Sequence, residues 1–102
     1  MTTIQCTLAG ANFRPGEART VCKSLQIGET AMLETDGDNP YDSNAVRVIA
    51  QDEFIGFVPK SDNAPIFAAL ERGEEVTVEI IGFESSIKPI LEITLSDELN
   101  FE

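Results

Sequence analysis

Asp38-Asn39-Pro40-Tyr41-Asp42-Ser43-Asn44-Ala45-Val46-Arg47-Val48 begins as a turn and ends as a strand. The ring of Pro40 pushes Asn39 out of the helical region. Asp42 and Asn44 carry short polar side chains that bond nearby backbone and stabilise turns. Ala45-Val46-Arg47-Val48-Ile49 is short and rich in β-branched residues, as a strand start should be. Tyr41 is the only tyrosine of the chain, and it stands in the polar part of the turn rather than in an apolar run. On local pattern alone its ring can equally be folded over the core or left free for a ligand.

Working outward, Ile4, Cys6 and Leu8 alternate within Thr3 to Gly10 and predict a first strand. Asn12 to Gly16 reads as a loop. Ala18, Val21, Cys22 and Leu25 fall at helical spacing and predict a short helix over Glu17 to Leu25, with Gly28 ending the connection that follows. Thr30 to Thr35 is a second strand and Ala45 to Ala50 a third. Gln51-Asp52-Glu53 is a tight polar turn into a fourth, Phe54 to Val58, so that these two strands form a hairpin. Ser61, Asp62 and Asn63 all suit a helix N-cap, and Pro65 suits a first turn. Ile66, Phe67 and Leu70 supply an apolar face and Gly73 a C-cap. Val76, Val78 and Ile80 alternate with Glu75, Thr77 and Glu79, and Leu91, Ile93 and Leu95 repeat the pattern after a turn at Glu84 to Lys88. The stretch 96–102 reads as a loose acidic tail. Six strands and two short helices predict a mainly β fold, a small six-stranded, partly closed antiparallel β-barrel. Residues 1–102 show no linker, repeat or second domain.

The totals fit one small folded domain: 102 residues, 42% hydrophobic and 25% charged. No apolar run is long enough to span a membrane, and no basic region followed by an apolar stretch marks a secretory signal. Cys6 and Cys22 fit neither a CxxC site nor a zinc arrangement. Cys6 alternates with Ile4 and Leu8, which predicts a buried thiol in a reducing compartment and a cytoplasmic protein. The net charge of −11 is unevenly spread. Up to residue 33, Arg14, Arg19 and Lys23 outnumber Glu17 and Glu29, so the remainder carries −12. A basic spot on one face is compatible with that distribution, but a long electrostatic track along a duplex is not.

Catalytic chemistry is poorly represented. Without histidine the commonest general base and metal ligand is missing. Ser85 and Lys88 have serine–lysine spacing but lack the partner motifs. Asp36-Gly37-Asp38 starts like a calcium loop, yet Pro40 and Arg47 occupy positions where that loop needs a ligand and a glutamate. A single adventitious cation between Asp36, Asp38 and Asp42 stays open. There is no phosphate-cradling or dinucleotide glycine motif. The chain reads as a binding protein without a cofactor, not as an enzyme.

Asn39-Pro40-Tyr41-Asp42, followed by Asn44-Ala45-Val46 and Val48, resembles the central motif of the HIRAN domain family. Leu8 to Phe13, Leu25 to Leu33 and Ile55 to Lys60 continue the likeness, over roughly residues 4–82. The resemblance implies a barrel related to OB and SH3-like shapes. It also implies capture of the 3′ end of single-stranded DNA, in a repair or processing context, beside a helicase or nuclease encoded elsewhere. By position, Tyr41 would stack on a base, Asp42 would accept from the terminal hydroxyl, and Asn39 and Lys60 would contact phosphate or sugar. Phe57 would line the pocket. The loop from Gly10 to Gly16 departs further from the family pattern of one basic residue and two aromatics, having Asn12, Phe13 and Arg14 instead. Phe13 would replace a stacking tyrosine, and Arg14 would restore the charge that Asn12 lacks or stack in its place. Against this reading stand ordinary structural roles: Phe13 and Phe57 as core, and Asp42 as a cap of its own turn. The competing function is an acidic protein–protein adaptor or DNA mimic that uses the −12 segment against a basic partner.

Overall fold

The computed structural model describes residues 1–96. Its elements run β1 (Thr2–Thr7), a 3-10 turn (Ala11–Phe13), α1 (Gly16–Ser24), β2 (Thr30–Thr35), β3 (Val46–Ala50), β4 (Glu53–Phe57), α2 (Asn63–Glu71), β5 (Val76–Ser85) and β6 (Lys88–Leu95). The strands form one sheet in the order β1-β6-β5-β2-β3-β4, and every pairing is antiparallel. Just beyond β1, Ala9 bridges to Phe57 of β4, the far edge of the sheet. Both bonds of that bridge are made, Phe57 N–H to the Ala9 carbonyl at 2.8 Å and Ala9 N–H to the Phe57 carbonyl at 2.9 Å. This contact joins the two edges of the sheet at one point and curls it into a partly closed barrel.

The inward alternation of each strand supplies the core. Val46, Val48, Ile55, Ile80, Leu91 and Ile93 are fully buried, and α2 adds Ile66. Each such side chain contributes about 1.5–3 kcal/mol by leaving water, so the long β5–β6 pair and β3 carry much of the stability. On α1, Ala18 and Cys22 turn inward, with Leu25 just beyond its end. Glu17 in its first turn and Lys23 in its last complement the helix dipole. Cys6 and Cys22 are buried free thiols. Burial, helped by the charge of Asp62, pushes the Cys6 thiol up to about 11.

Several local expectations need correction. The β3–β4 turn has two residues, not three: Gln51 and Asp52 both take positive φ, 52° and 63°, the backbone that matches the twist of a two-residue hairpin. The Gln51 side chain fastens it, donating to Glu29 and accepting from Ser24. The β5–β6 turn is confined to Ser86 and Ile87, so β5 is longer than its alternating half suggests. Asn12 belongs to a 3-10 turn rather than to an irregular loop. The acidic tail, beyond Ser96, lies outside the described residues; Ser96 itself donates its N–H to the Glu75 carbonyl.

The largest departure is in β4. Pairing shifts between Val48 and Ile49, which face Gly56 and Phe54, so Ile55 is an extra residue in the strand. Such a bulge resets the alternation of side chains. Ile55 and Gly56 are both buried, while Phe54 and Phe57, three apart, meet edge-to-face with ring centroids 5.1 Å apart. The guanidinium of Arg14 lies 3.8 Å from the Phe54 ring centre and that of Arg47 5.1 Å.

Candidate functional site

The turn between β2 and β3 is built by its own polar side chains. Asn39 Oδ1 accepts the N–H groups of Tyr41 at 2.8 Å and Asp42 at 3.2 Å, while its Nδ2 donates to Asp36 at 3.2 Å. Asp36 in turn pairs with Arg47 at 3.3 Å, which ties the turn to the barrel wall. Backbone bonds from Asp36 N–H to Ala45 and from Ala45 N–H to Asp42 close the base of the turn. The result is a rigid platform that holds the Tyr41 ring 90% exposed. The ring is therefore not folded over the core.

Asp42 is bonded on both carboxylate oxygens. Oδ1 accepts the Asn44 N–H at 2.9 Å, and Oδ2 accepts the side-chain amide of Asn63 at 2.7 Å. The Asn44 bond is the main reason why its carboxyl sits below the ordinary value. Partial desolvation opposes that shift, and the Asn63 amide and the charge of Lys60 reinforce it. Asp42 does steady its own turn, yet each oxygen keeps lone-pair capacity for a further donor.

Asn39, Tyr41, Asp42, Phe57 and Lys60 meet around one cleft of about 290 Å³, with Ala9, Gly10, Ala45 and Val58 completing its wall. Gly10 has φ 78°, a conformation that favours glycine, and a Cβ there would stand 3.5 Å from the Phe57 ring. The backbone thus passes close to the ring and forms one side of the cleft. Phe57 is half-buried, packed edge-to-face against the half-buried Phe54, and lines the cleft wall. Among the described residues Lys60 makes no ion pair within 4.0 Å.

The remaining candidates lie elsewhere. Asn12 lines a neighbouring groove of about 350 Å³ that shares Ala9 and Gly10 with the cleft. Phe13 is 90% exposed, not core, and is not part of the cleft lining. Arg14 is held on Phe54, donating from Nε to the Phe54 carbonyl at 3.2 Å, and Arg19 is bonded to the Arg14 carbonyl at 3.0 Å. Of the cations Arg14, Arg19, Lys23 and Lys60, the one that lines the cleft is Lys60. The charge spacing gave no hint of this, because the partner of Arg14 is 40 residues away. Asn63 entered only as a possible cap, although its amide is spent on Asp42.

Asp36, Asp38 and Asp42 do not assemble a cation site. Among the described residues no three acidic or thiol side chains are grouped to hold a metal. Asp36 is committed to Arg47 and Asn39, and Asp42 to Asn44 and Asn63. Also among the described residues, no helix is long and apolar enough to cross a membrane. Chemically the cleft offers an exposed ring, an ionised acceptor, one cation and an apolar wall. That set suits a ligand with a flat face, a hydroxyl donor and an anionic group.

A family model of the HIRAN domain matches residues 1–95. The crystal structure of a protein from Lactobacillus plantarum superposes with a TM-score of 0.78 at 16% identity, covering 90% of this chain and 93% of that one. The crystal structure of the HIRAN domain of human HLTF gives 0.74 at 18% identity, covering 91% of this chain and 74% of that one. At such identities the two structures speak for the fold. No curated protein sequence matches the chain.

Proposed function

The chain belongs to the HIRAN domain family, and from that premise we propose that it captures the 3′ end of single-stranded DNA in the Tyr41–Asp42 cleft. The family is known for binding nucleic acid, and its domain binds rather than catalyses. The observation that carries the finer reading is the pairing of an exposed ring with a doubly bonded carboxylate across one small cleft. Tyr41 stacks on a terminal base, which any base permits because each offers a π-face. Asp42 accepts the hydrogen of a free 3′-hydroxyl and repels a phosphate in its place. Lys60 contacts the preceding phosphate, Asn39 holds the platform, and Phe57 lines the apolar wall.

On this reading residues 1–95 form a non-catalytic recognition module that serves a helicase, nuclease or repair enzyme. Its buried free thiols suit the reducing cytoplasm. Arg14, Phe13 and Asn12 contribute only if the strand continues past Gly10, where Asn12 lines the adjoining groove. Fluorescence titration of the protein against single strands ending in 3′-hydroxyl or 3′-phosphate tests the proposal. Tighter binding of the hydroxyl end supports it. The acidic-adaptor reading, which draws on the charge of −11, expects no binding of either strand.

A further inference from the structure

We infer that Asn63, at the start of α2, is a positioning residue that sets how Asp42 distinguishes strand ends; this rests on the reading of the cleft given above. Asn63 is 2% exposed, a polar residue as buried as the apolar core. A residue at a helix start ordinarily spends a side-chain oxygen on the free N–H groups there. The N-cap of α2, Asp62, makes no such side-chain bond. The Asn63 amide instead reaches the loop 21 residues earlier and donates to Asp42 Oδ2 at 2.7 Å. The helix start forgoes a stabilising cap while a buried donor is aimed at the cleft carboxylate.

The geometry explains what such a donor does. Asn44 N–H holds Oδ1 from the turn, Asn63 holds Oδ2 from the helix, and the Lys60 cation faces the same group from the connection before α2. With a donor on each oxygen the carboxylate cannot swing about its last torsion without breaking a bond. Its remaining lone pairs keep one direction. Both bonds also favour the ionised form, which accepts hydrogen bonds and cannot donate them. A terminal hydroxyl fits that restriction, whereas a terminal phosphate does not. Without Asn63 the carboxylate keeps its charge nearby but loses its orientation, so the preference weakens even where the fold survives.

Two variants and one wild-type measurement test this. Asn63→Leu, close in volume, removes the donor and should reduce the ratio of 3′-hydroxyl to 3′-phosphate affinity by about tenfold, as expected for a hydrogen bond to a charged group. Asn63→Asp places two carboxyls together, which raises the pKa of one of them. Below that pKa the protonated carboxyl donates to Asp42 as the amide does, and the preference should match wild type. Above it two carboxylates repel each other and the orientation of Asp42 is lost, so affinity for the 3′-hydroxyl strand should fall about tenfold below that of wild type at the same pH. Melting curves show whether each variant is folded. In wild type, the Asn63 side-chain amide resonances should shift when a 3′-hydroxyl strand is added and stay in place with a 3′-phosphate strand. The inference is overturned if wild type discriminates but both folded variants match it at every pH, or if the Asn63 amide does not move. If the variants do not fold, the wild-type resonances decide. If wild type itself fails to discriminate, the reading of the cleft falls and this inference with it.

Discussion

A Cβ placed on Gly56 would stand 2.5 Å from the carbonyl oxygen of Ala9, closer than any side chain tolerates. The bulged strand and the end of β1 pass so near each other that only glycine fits, and this crossing also sets Gly10 against Phe57. Barrel closure and the cleft wall are thus one feature. Gly56→Ala should cost about 1–3 kcal/mol, the usual penalty of overpacking a close contact. Thermal melts check this, and an unchanged melting temperature would show that the crossing yields easily.

Tyr41→Ala should leave stability within about 0.5 kcal/mol of wild type, because the ring is exposed and touches little of the core. Binding should weaken by about 1–3 kcal/mol per stacked base, whatever the base. Titrations with homopolymeric strands, read beside the melts, separate the two effects. A loss that depends strongly on base identity would point to edge recognition instead of stacking.

Asp42 gives the fold a pH dependence of defined sign. Its carboxyl is held below the ordinary value of 3.8 in the folded state, chiefly by the Asn44 N–H. The folded state therefore holds the proton less tightly than the unfolded chain does. The stabilisation is fully present above the ordinary value and is lost as pH falls through the lower folded one. Melts followed down through this window should show an acid limb that is shallower in Asp42→Asn than in wild type. Identical limbs would mean that the bonds to Asn44 and Asn63 do not favour the ionised form.

Much of the barrel was legible in the chain because alternation such as Ile4-Cys6-Leu8 or Val76-Val78-Ile80 is a local signal. The bulge was not. Phe54 and Phe57 are three apart, a spacing that sends side chains to opposite faces of a regular strand, and only the tertiary contact at Gly56 explains the extra residue. The platform turn was visible in Asn39, Pro40 and Asp42, each with a local reason to be there. Arg14 and Asn63 were harder, since their partners Phe54 and Asp42 lie 40 and 21 residues away. Nothing in a polar residue's own neighbourhood announces such a partner.

Salt should weaken binding only modestly. With Lys60 the cation that lines the cleft, one or two phosphates are neutralised, and each contributes a slope of about −0.7 in log affinity against log salt for a single strand. Titrations across a salt series measure this directly. A slope corresponding to six or more phosphates would place the footprint on a different, more basic surface.

The central claim, that the Tyr41–Asp42 cleft receives a strand end, is tested most directly by following backbone amide resonances during titration with a short single strand bearing a free 3′-hydroxyl. The account predicts saturable shifts concentrated at Gly10, Tyr41, Asp42, Phe57, Val58 and Lys60, and much smaller shifts with the 3′-phosphate strand. Shifts centred away from these residues, or equal for the two ends, would contradict it.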